Sequence, residues 1–212
     1  VNLSLGVLND CPPVIVSEHG TALLYEYDLY DNYGFATKED FLRRVKASLR
    51  KANYIISQSE FSKYSFLKEF SLPKSLRVKS ILCPINADKM PLLDKEEEKI
   101  KLGLGNKKVI LFCGAHLPVK RKGLDILLKA VASNSYLREN CMIVIITSKE
   151  AKFFAQNFIR RQNIDGLVLD HQPWEILIEY YNAADVFVMP SRQEAIGLAY
   201  YEAPVSYTHL TL

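Results

Sequence analysis

The chain has 212 residues, a net charge of +3 and an apolar fraction of 49%, enough to bury a core. So mild a charge gives no reason to expect nucleic acid as a partner, and leaves room for a polyanionic ligand or peripheral contact with an acidic membrane surface. No apolar run approaches the roughly 18 residues that a membrane-spanning helix needs, and no signal peptide is visible.

The chain opens at Val1, inside what reads as an element, so we expect further residues to precede it. Residues 13–17 (PVIVS) read as a buried strand. Residues 37–52 read as a helix, with Thr37 and Asp40 as a capping box and Phe41, Leu42, Val45 and Leu49 at helical spacing. Residues 53–57 form a second buried strand, 59–70 a helix with aromatics at Phe61, Tyr64 and Phe66, and 77–83 a third strand stopped by Pro84. Residues 88–108 are charged, with glycines at 103 and 105. They read as a linker with a short helix whose Glu96-Glu97-Glu98 run faces solvent.

The alternation then becomes cleaner. Strands are predicted at 109–113, 142–147, 167–169 and 186–189. Helices are predicted at 123–132, 150–161, 173–183 (proline in the first turn) and 195–202, the last broken by Pro204. Strands alternating with helices imply parallel βαβ units in a doubly wound sheet, whose ligands sit at the carboxyl ends of the strands. The loops to inspect follow Cys113, Thr147, Leu169 and Met189. The four cysteines (11, 83, 113 and 141) form no Cys-x-x-Cys pair and sit mostly in apolar runs. They read as reduced thiols of a cytoplasmic protein, and no metal site is expected.

Three constellations carry chemistry. Residues 114–123 (GAHLPVKRKG) place Lys120, Arg121 and Lys122 after a strand, where cations can grip a diphosphate; a solvated basic loop is the alternative. The order is not that of a Walker loop. Residues 190–203 (PSRQEAIGLAYYEA) carry Glu194 and Glu202 eight residues apart, about 12 Å along a continuous helix. Carboxylates suit sugars because they accept two hydroxyl hydrogen bonds at once. The backbone N–H groups of 195–198, including Ile196 and Leu198, could meet phosphate or sugar, and Gly197 permits close approach. Two exposed glutamates on an ordinary helix are the alternative. Finally, His19 follows the first strand beside Gly20, and is either a ligand contact in a cleft or a structural histidine.

At these residues the chain resembles the retaining GT-B glycosyltransferases of the family 4 type (glycosyl transferases group 1). Pro190-Ser191, Glu194, Gly197-Leu198 and Glu202-Ala203 resemble their Pro-Ser … Glu-x7-Glu signature. Gly114 with Lys122-Gly123-Leu124-Asp125 resembles their donor loop and the helix after it. Ser57-Gln58-Ser59, Pro84 to Asp88, and the strand ending at His19 resemble parts of their N-terminal domain.

The resemblance implies an α/β, GT-B-like fold of two Rossmann-like doubly wound parallel-sheet domains, both incomplete. Residues 1–95 would be the end of the acceptor-side domain and 96–203 a truncated donor domain, with 204–212 expected to be a non-native tail. It implies a metal-free transfer of a sugar, with retention, from a nucleotide-diphosphate sugar to a glycan or lipid-linked acceptor. Arg121 and Lys122 would neutralise the departing diphosphate, beside Gly114. Glu194 would touch the transferred sugar, with backbone at Ile196, Gly197 and Leu198. Glu202 would bind the ribose, and His19 the sugar or acceptor. Ala115 stands where the family often has arginine, and Ala195-Ile196 where it has glycine and phenylalanine. A nucleotide-sugar-binding module without turnover, or a nucleotide-sugar epimerase, are the other readings.

Overall fold

The computed structural model describes residues 14–18, 36–70, 77–114, 119–192, 194, 196–205 and 209–211. The chain divides into two compact units. The first lies within residues 1–84, with the short stretch 194–196 grouped with it; the second comprises the rest from Ile85 onward.

In the first unit, β1 (Ile15–Glu18), β2 (Tyr54–Ser57) and β3 (Val78–Ser80) form a parallel sheet in that order. Helix α1 (Lys38–Leu49) joins the first crossover and α2 (Glu60–Glu69) the second. Val16 pairs with Ile55 across the sheet, and both are buried with Phe41, Val45, Leu49, Phe66 and Phe70. The Phe66 and Phe70 rings lie 5.2 Å apart, and Phe70 meets Phe41 edge-on at 6.2 Å. The helical stripe is therefore what holds α1 down. Of the predicted aromatics in α2 only Phe66 is buried; Phe61 and Tyr64 are exposed.

Both helices start on side-chain caps. Thr37 Oγ1 accepts from Asp40 N at 3.1 Å, and Ser59 Oγ accepts from Ser62 N at 3.0 Å. The Asp40 carboxylate does not complete a capping box. It accepts instead from Arg43 and Arg44 one turn on, and the Arg43 bond leads in holding its carboxyl below the usual range. The third strand is shorter than predicted because its partner ends: the register closes at Ser57 and Ser80, and Ile81 N makes the last bond to Ser57 O.

The acidic run faces solvent at Glu96 and Glu97 but not at Glu98. A 3-10 turn (Ala87–Lys89) leads to α3 (Lys95–Lys101), which Asp94 caps through Glu96 N and Glu97 N, both at 3.0 Å. Glu98 is only 8% exposed and Lys99 only 3%. Lys99 Nζ reaches Asp185 Oδ2 at 2.8 Å, and Lys101 Nζ reaches Glu179 Oε1 at 2.7 Å. These long-range pairs pull one flank of the charged helix into the second unit, which local charge patterning could not reveal.

The second unit is built on β4 (Lys108–Gly114), β5 (Cys141–Thr147), β6 (Gly166–Leu169), β7 (Val186–Val188) and β8 (His209–Thr211). They run parallel in the order β6-β5-β4-β7-β8. Helices α4 (Val119–Lys122), α5 (Leu124–Ser133) and α6 (Ser135–Asn140) link β4 to β5. Then α7 (Lys149–Arg161), α8 (Trp174–Ala183) and α9 (Ala199–Val205) follow β5, β6 and β7 in turn. Helix α5 packs on α7, and α3 on α8.

Residues 109–112 and 143–146 are buried throughout, because central strands of a parallel sheet are covered on both faces and read as unbroken apolar runs. Each such side chain contributes about 1.5–3 kcal/mol by leaving water. Two elements differ from expectation. Helix α9 starts four residues later than predicted, and Pro204 falls in its last turn instead of breaking it; the missing N–H forfeits one bond and the helix stops at Val205. Beyond it, residues 209–211 pair with β7.

Candidate functional site

The strand order creates a switch point. From β4 the chain winds to β5 and β6 on one side, then crosses back to place β7 on the other side of β4. A crevice must open between the diverging connections at the carboxyl ends of β4 and β7. Segments 114–123 and 190–198 leave from those two ends.

The two segments are locked together at Gly123. This residue has φ +75°, and a Cβ added there would lie 1.8 Å from the carbonyl oxygen of Pro190. No rotamer change relieves a clash with backbone, so the contact requires glycine. Arg192 N donates to Arg121 O at 2.8 Å. The Arg192 guanidinium then grips Asp125 at the start of α5 through two bonds of 2.9 Å. That fork leads in holding the Asp125 carboxyl below the usual range. Thr147 Oγ1 donates to Gly114 O at 2.8 Å, so the end of β5 braces the end of β4.

Arg121 and Lys122 sit on α4, immediately before the locked glycine. Arg121 is 8% exposed and Lys122 half-buried. A Cβ on Gly114 would meet Lys122 Cβ at 3.5 Å and the Phe112 ring at 3.1 Å, so the strand end and the cationic turn are in close contact.

The second segment departs from the sequence reading. Glu194 and Glu202 do not share a helix. Gly197 takes φ +64°, a left-handed backbone that ends any helical run from residue 195. The first bonds of α9 run from Tyr200 N to Gly197 O and from Tyr201 N and Glu202 N to Leu198 O. The axial rise of 12 Å therefore does not apply, and the N–H groups at 195–198 are not the first turn of α9. Gly197 is buried and Leu198 exposed, both in the second unit; Glu194 and Ile196, each half-buried, group with the first. His19 lies outside the described residues, as do 115–118 of the donor loop.

Glu202 is anchored by a residue the sequence reading missed. The hydroxyl of Tyr181, on α8, donates to Glu202 Oε2 at 2.9 Å. Burial raises the Glu202 pKa, and the Tyr181 bond opposes it. Cys113, at the end of β4, completes the group. Burial above all, with the Glu202 charge adding, pushes its thiol up to about 11, so it stays protonated at neutral pH. Lys122 acts on the same thiol in the opposite sense. The Lys122 and Glu202 charges thus both act on this thiol at the end of β4. The Tyr200 hydroxyl donates to Met189 O and ties α9 to the end of β7. Tyr181 and Arg192 carry no local signal, since each acts through a partner at least 21 residues away.

An open groove of about 590 Å³ between α7 and β6, lined by Phe153, Arg160, Ile164 and Leu167, contains none of these residues.

The model of one family, Glycosyl transferases group 1, matches residues 94–206, more than half of the chain and all of the segments just described. The chain belongs to the glycosyl transferases group 1 family. No curated protein matches this glycosyl transferase sequence. Among solved structures it resembles the sucrose-phosphate synthase of Thermosynechococcus elongatus, with TM-score 0.75 and 20% identity over 92% of this chain and 49% of that one. It resembles Anabaena HepE in complex with UDP-glucose, with TM-score 0.74 and 18% identity over 93% and 52%. It also resembles WaaG, a glycosyltransferase involved in lipopolysaccharide biosynthesis, with TM-score 0.72 and 18% identity over 93% and 56%. At these identities the likeness is one of fold, the parallel-sheet α/β architecture of GT-B glycosyltransferases. The chain spans about half the length of these structures.

Proposed function

We propose that the protein is a retaining glycosyltransferase that moves a hexose-type sugar from a nucleotide-diphosphate sugar to a glycan or lipid-linked acceptor. The observation that carries this reading is the locked pair of segments at the switch point. It holds the cationic turn (Arg121, Lys122) against Gly114 at the end of β4, and the helix that follows the second segment carries the Glu202 carboxylate. The group 1 family match over the same segments supports it, as does the likeness to HepE, which binds UDP-glucose.

In this reading the diphosphate lies against Gly114, Arg121 and Lys122. The anomeric C–O bond to the diphosphate breaks, and the acceptor hydroxyl attacks from the same face. Its proton passes to the departing phosphate oxygen. The main task of the protein is to stabilise charge on that leaving group, which the two cations do without proton transfer. Glu194 holds the sugar beside the backbone of Ile196, Gly197 and Leu198. Glu202 accepts the ribose hydroxyls, and His19 contacts the sugar or acceptor. The reaction needs no metal cofactor. We place the protein in the cytoplasm, where Cys83, Cys113 and Cys141, all free thiols, stay reduced, with its net positive charge favouring the inner membrane face.

A donor-hydrolysis and transfer assay on the whole protein tests the proposal. Lys122→Ala is expected to lower kcat by about 10²–10³-fold, the range for losing one preorganised charge-stabilising donor, and Glu194→Ala to remove turnover. If both variants turn over like the unaltered protein, the donor-site assignment fails. If the unaltered protein binds donor and never turns it over, it is a binding module.

A further inference from the structure

The Glu202 carboxylate is held on one side only. Oε2 accepts the Tyr181 hydroxyl, while Oε1 accepts no hydrogen bond from any described residue. A glutamate side chain has three rotatable bonds, so a free carboxylate at this position would sample several directions. Tyr181 removes that freedom from outside α9. Its side chain is 0% exposed, and its ring packs on Phe187 at 5.8 Å, which packs edge-on against Tyr200 at 6.1 Å. The phenol cannot turn to water, and its single proton has a fixed acceptor.

The one phenolic proton goes to the carboxylate, which can only accept. The Tyr181 hydroxyl thus gives its only proton to Oε2, and Oε1 has no donor among the described residues. Two elements (α8 and α9) meet at this carboxylate.

We propose that Tyr181 is a positioning residue that fixes the Glu202 carboxylate so that Oε1 meets the ribose hydroxyls of a nucleoside-diphosphate donor. This rests on the donor-site reading above. A Tyr–Glu bond that merely tied α8 to α9 would affect every ligand alike. A positioning bond acts on the ribose hydroxyls alone, so the ratio of affinities for ribose and deoxyribose ligands separates the two.

The experiment is calorimetric titration of the whole protein with UDP, GDP and the 2′,3′-dideoxy form of each. The unaltered protein, Tyr181→Phe and Glu202→Ala are compared, with thermal melts confirming that each is folded. Tyr181→Phe keeps the ring and its packing. The unaltered protein is expected to prefer the ribose form of its better nucleotide at least tenfold, as a charged acceptor for a hydroxyl implies. In Glu202→Ala the preference should vanish, and in Tyr181→Phe it should fall below about threefold while affinity for the dideoxy form stays unchanged. If Glu202→Ala loses the preference and Tyr181→Phe keeps it, or weakens both forms equally, the positioning role is overturned and the donor reading stands. If neither diphosphate binds, or Glu202→Ala discriminates like the unaltered protein, the donor reading itself fails and the inference with it.

Discussion

Gly123→Ala tests the lock between the two halves of the site. The added Cβ would lie 1.8 Å from Pro190 O and 2.5 Å from Pro190 C, where anything under 3.0 Å is not tolerated, so the segments must part by about 1.2 Å. Alanine at φ +75° costs about 1–2 kcal/mol by itself. Separation also breaks the Arg192 N to Arg121 O bond and the Arg192–Asp125 fork, each worth about 1 kcal/mol in this setting. The sum is about 3–4 kcal/mol, which lowers Tm by roughly 10 °C in a chain of this size. Gly103→Ala is the internal control. Gly103 also has positive φ (+67°), and its Cβ would meet nothing within 4 Å, so it bears the backbone cost alone, a fall of about 2–8 °C. Calorimetric melts of both variants decide the matter. If Gly123→Ala melts no lower than Gly103→Ala, the contact with Pro190 is not rigid, and the reasoning that the segments are locked is wrong.

Acid should weaken the anchor of α3. Burial alone would raise the Asp185 pKa, but the Lys99 bond, the Val109 N–H and Lys108 outweigh it and hold the group at about 2. A folded pKa below the unfolded value contributes stability above about pH 4 that is lost as pH falls through about 2. The contribution is about 2 kcal/mol at neutral pH, with roughly half left at pH 3. The stability gap between the unaltered protein and Asp185→Asn, measured by urea melts, should narrow below pH 4; a constant gap down to pH 2 would show that Asp185 is not held low. Arg192→Ala should cost about 1 kcal/mol, since the guanidinium is 39% exposed. Arg192→Lys should recover less than half, because an ammonium cannot make the two-pronged contact with Asp125; full recovery in urea melts would mean that charge alone matters.

Much of the second unit was legible one segment at a time. Val109 to Phe112 and Ile143 to Ile146 are unbroken apolar runs, which only a doubly covered strand explains, and Leu124, Leu127, Leu128 and Val131 mark the buried stripe of α5. Thr37 announced a helix start, because a cap satisfies N–H groups within three residues. Each of these is a local property, fixed by a side chain and its near neighbours, and so is written in the sequence. The ordered glycine, basic and glutamate segments likewise pointed to the family. What stayed hidden depended on which distant segments become neighbours. Only packing decided that β7 lies beside β4 and so opens the crevice there. It also decided that Pro190 closes on Gly123, that Tyr181 reaches Glu202, and that Lys99 is buried on Asp185. The start of α9 turned on Gly197, a residue able to continue a helix or end one, and its left-handed backbone ended it. A polar side chain specifies that it needs a partner; the fold alone specifies which.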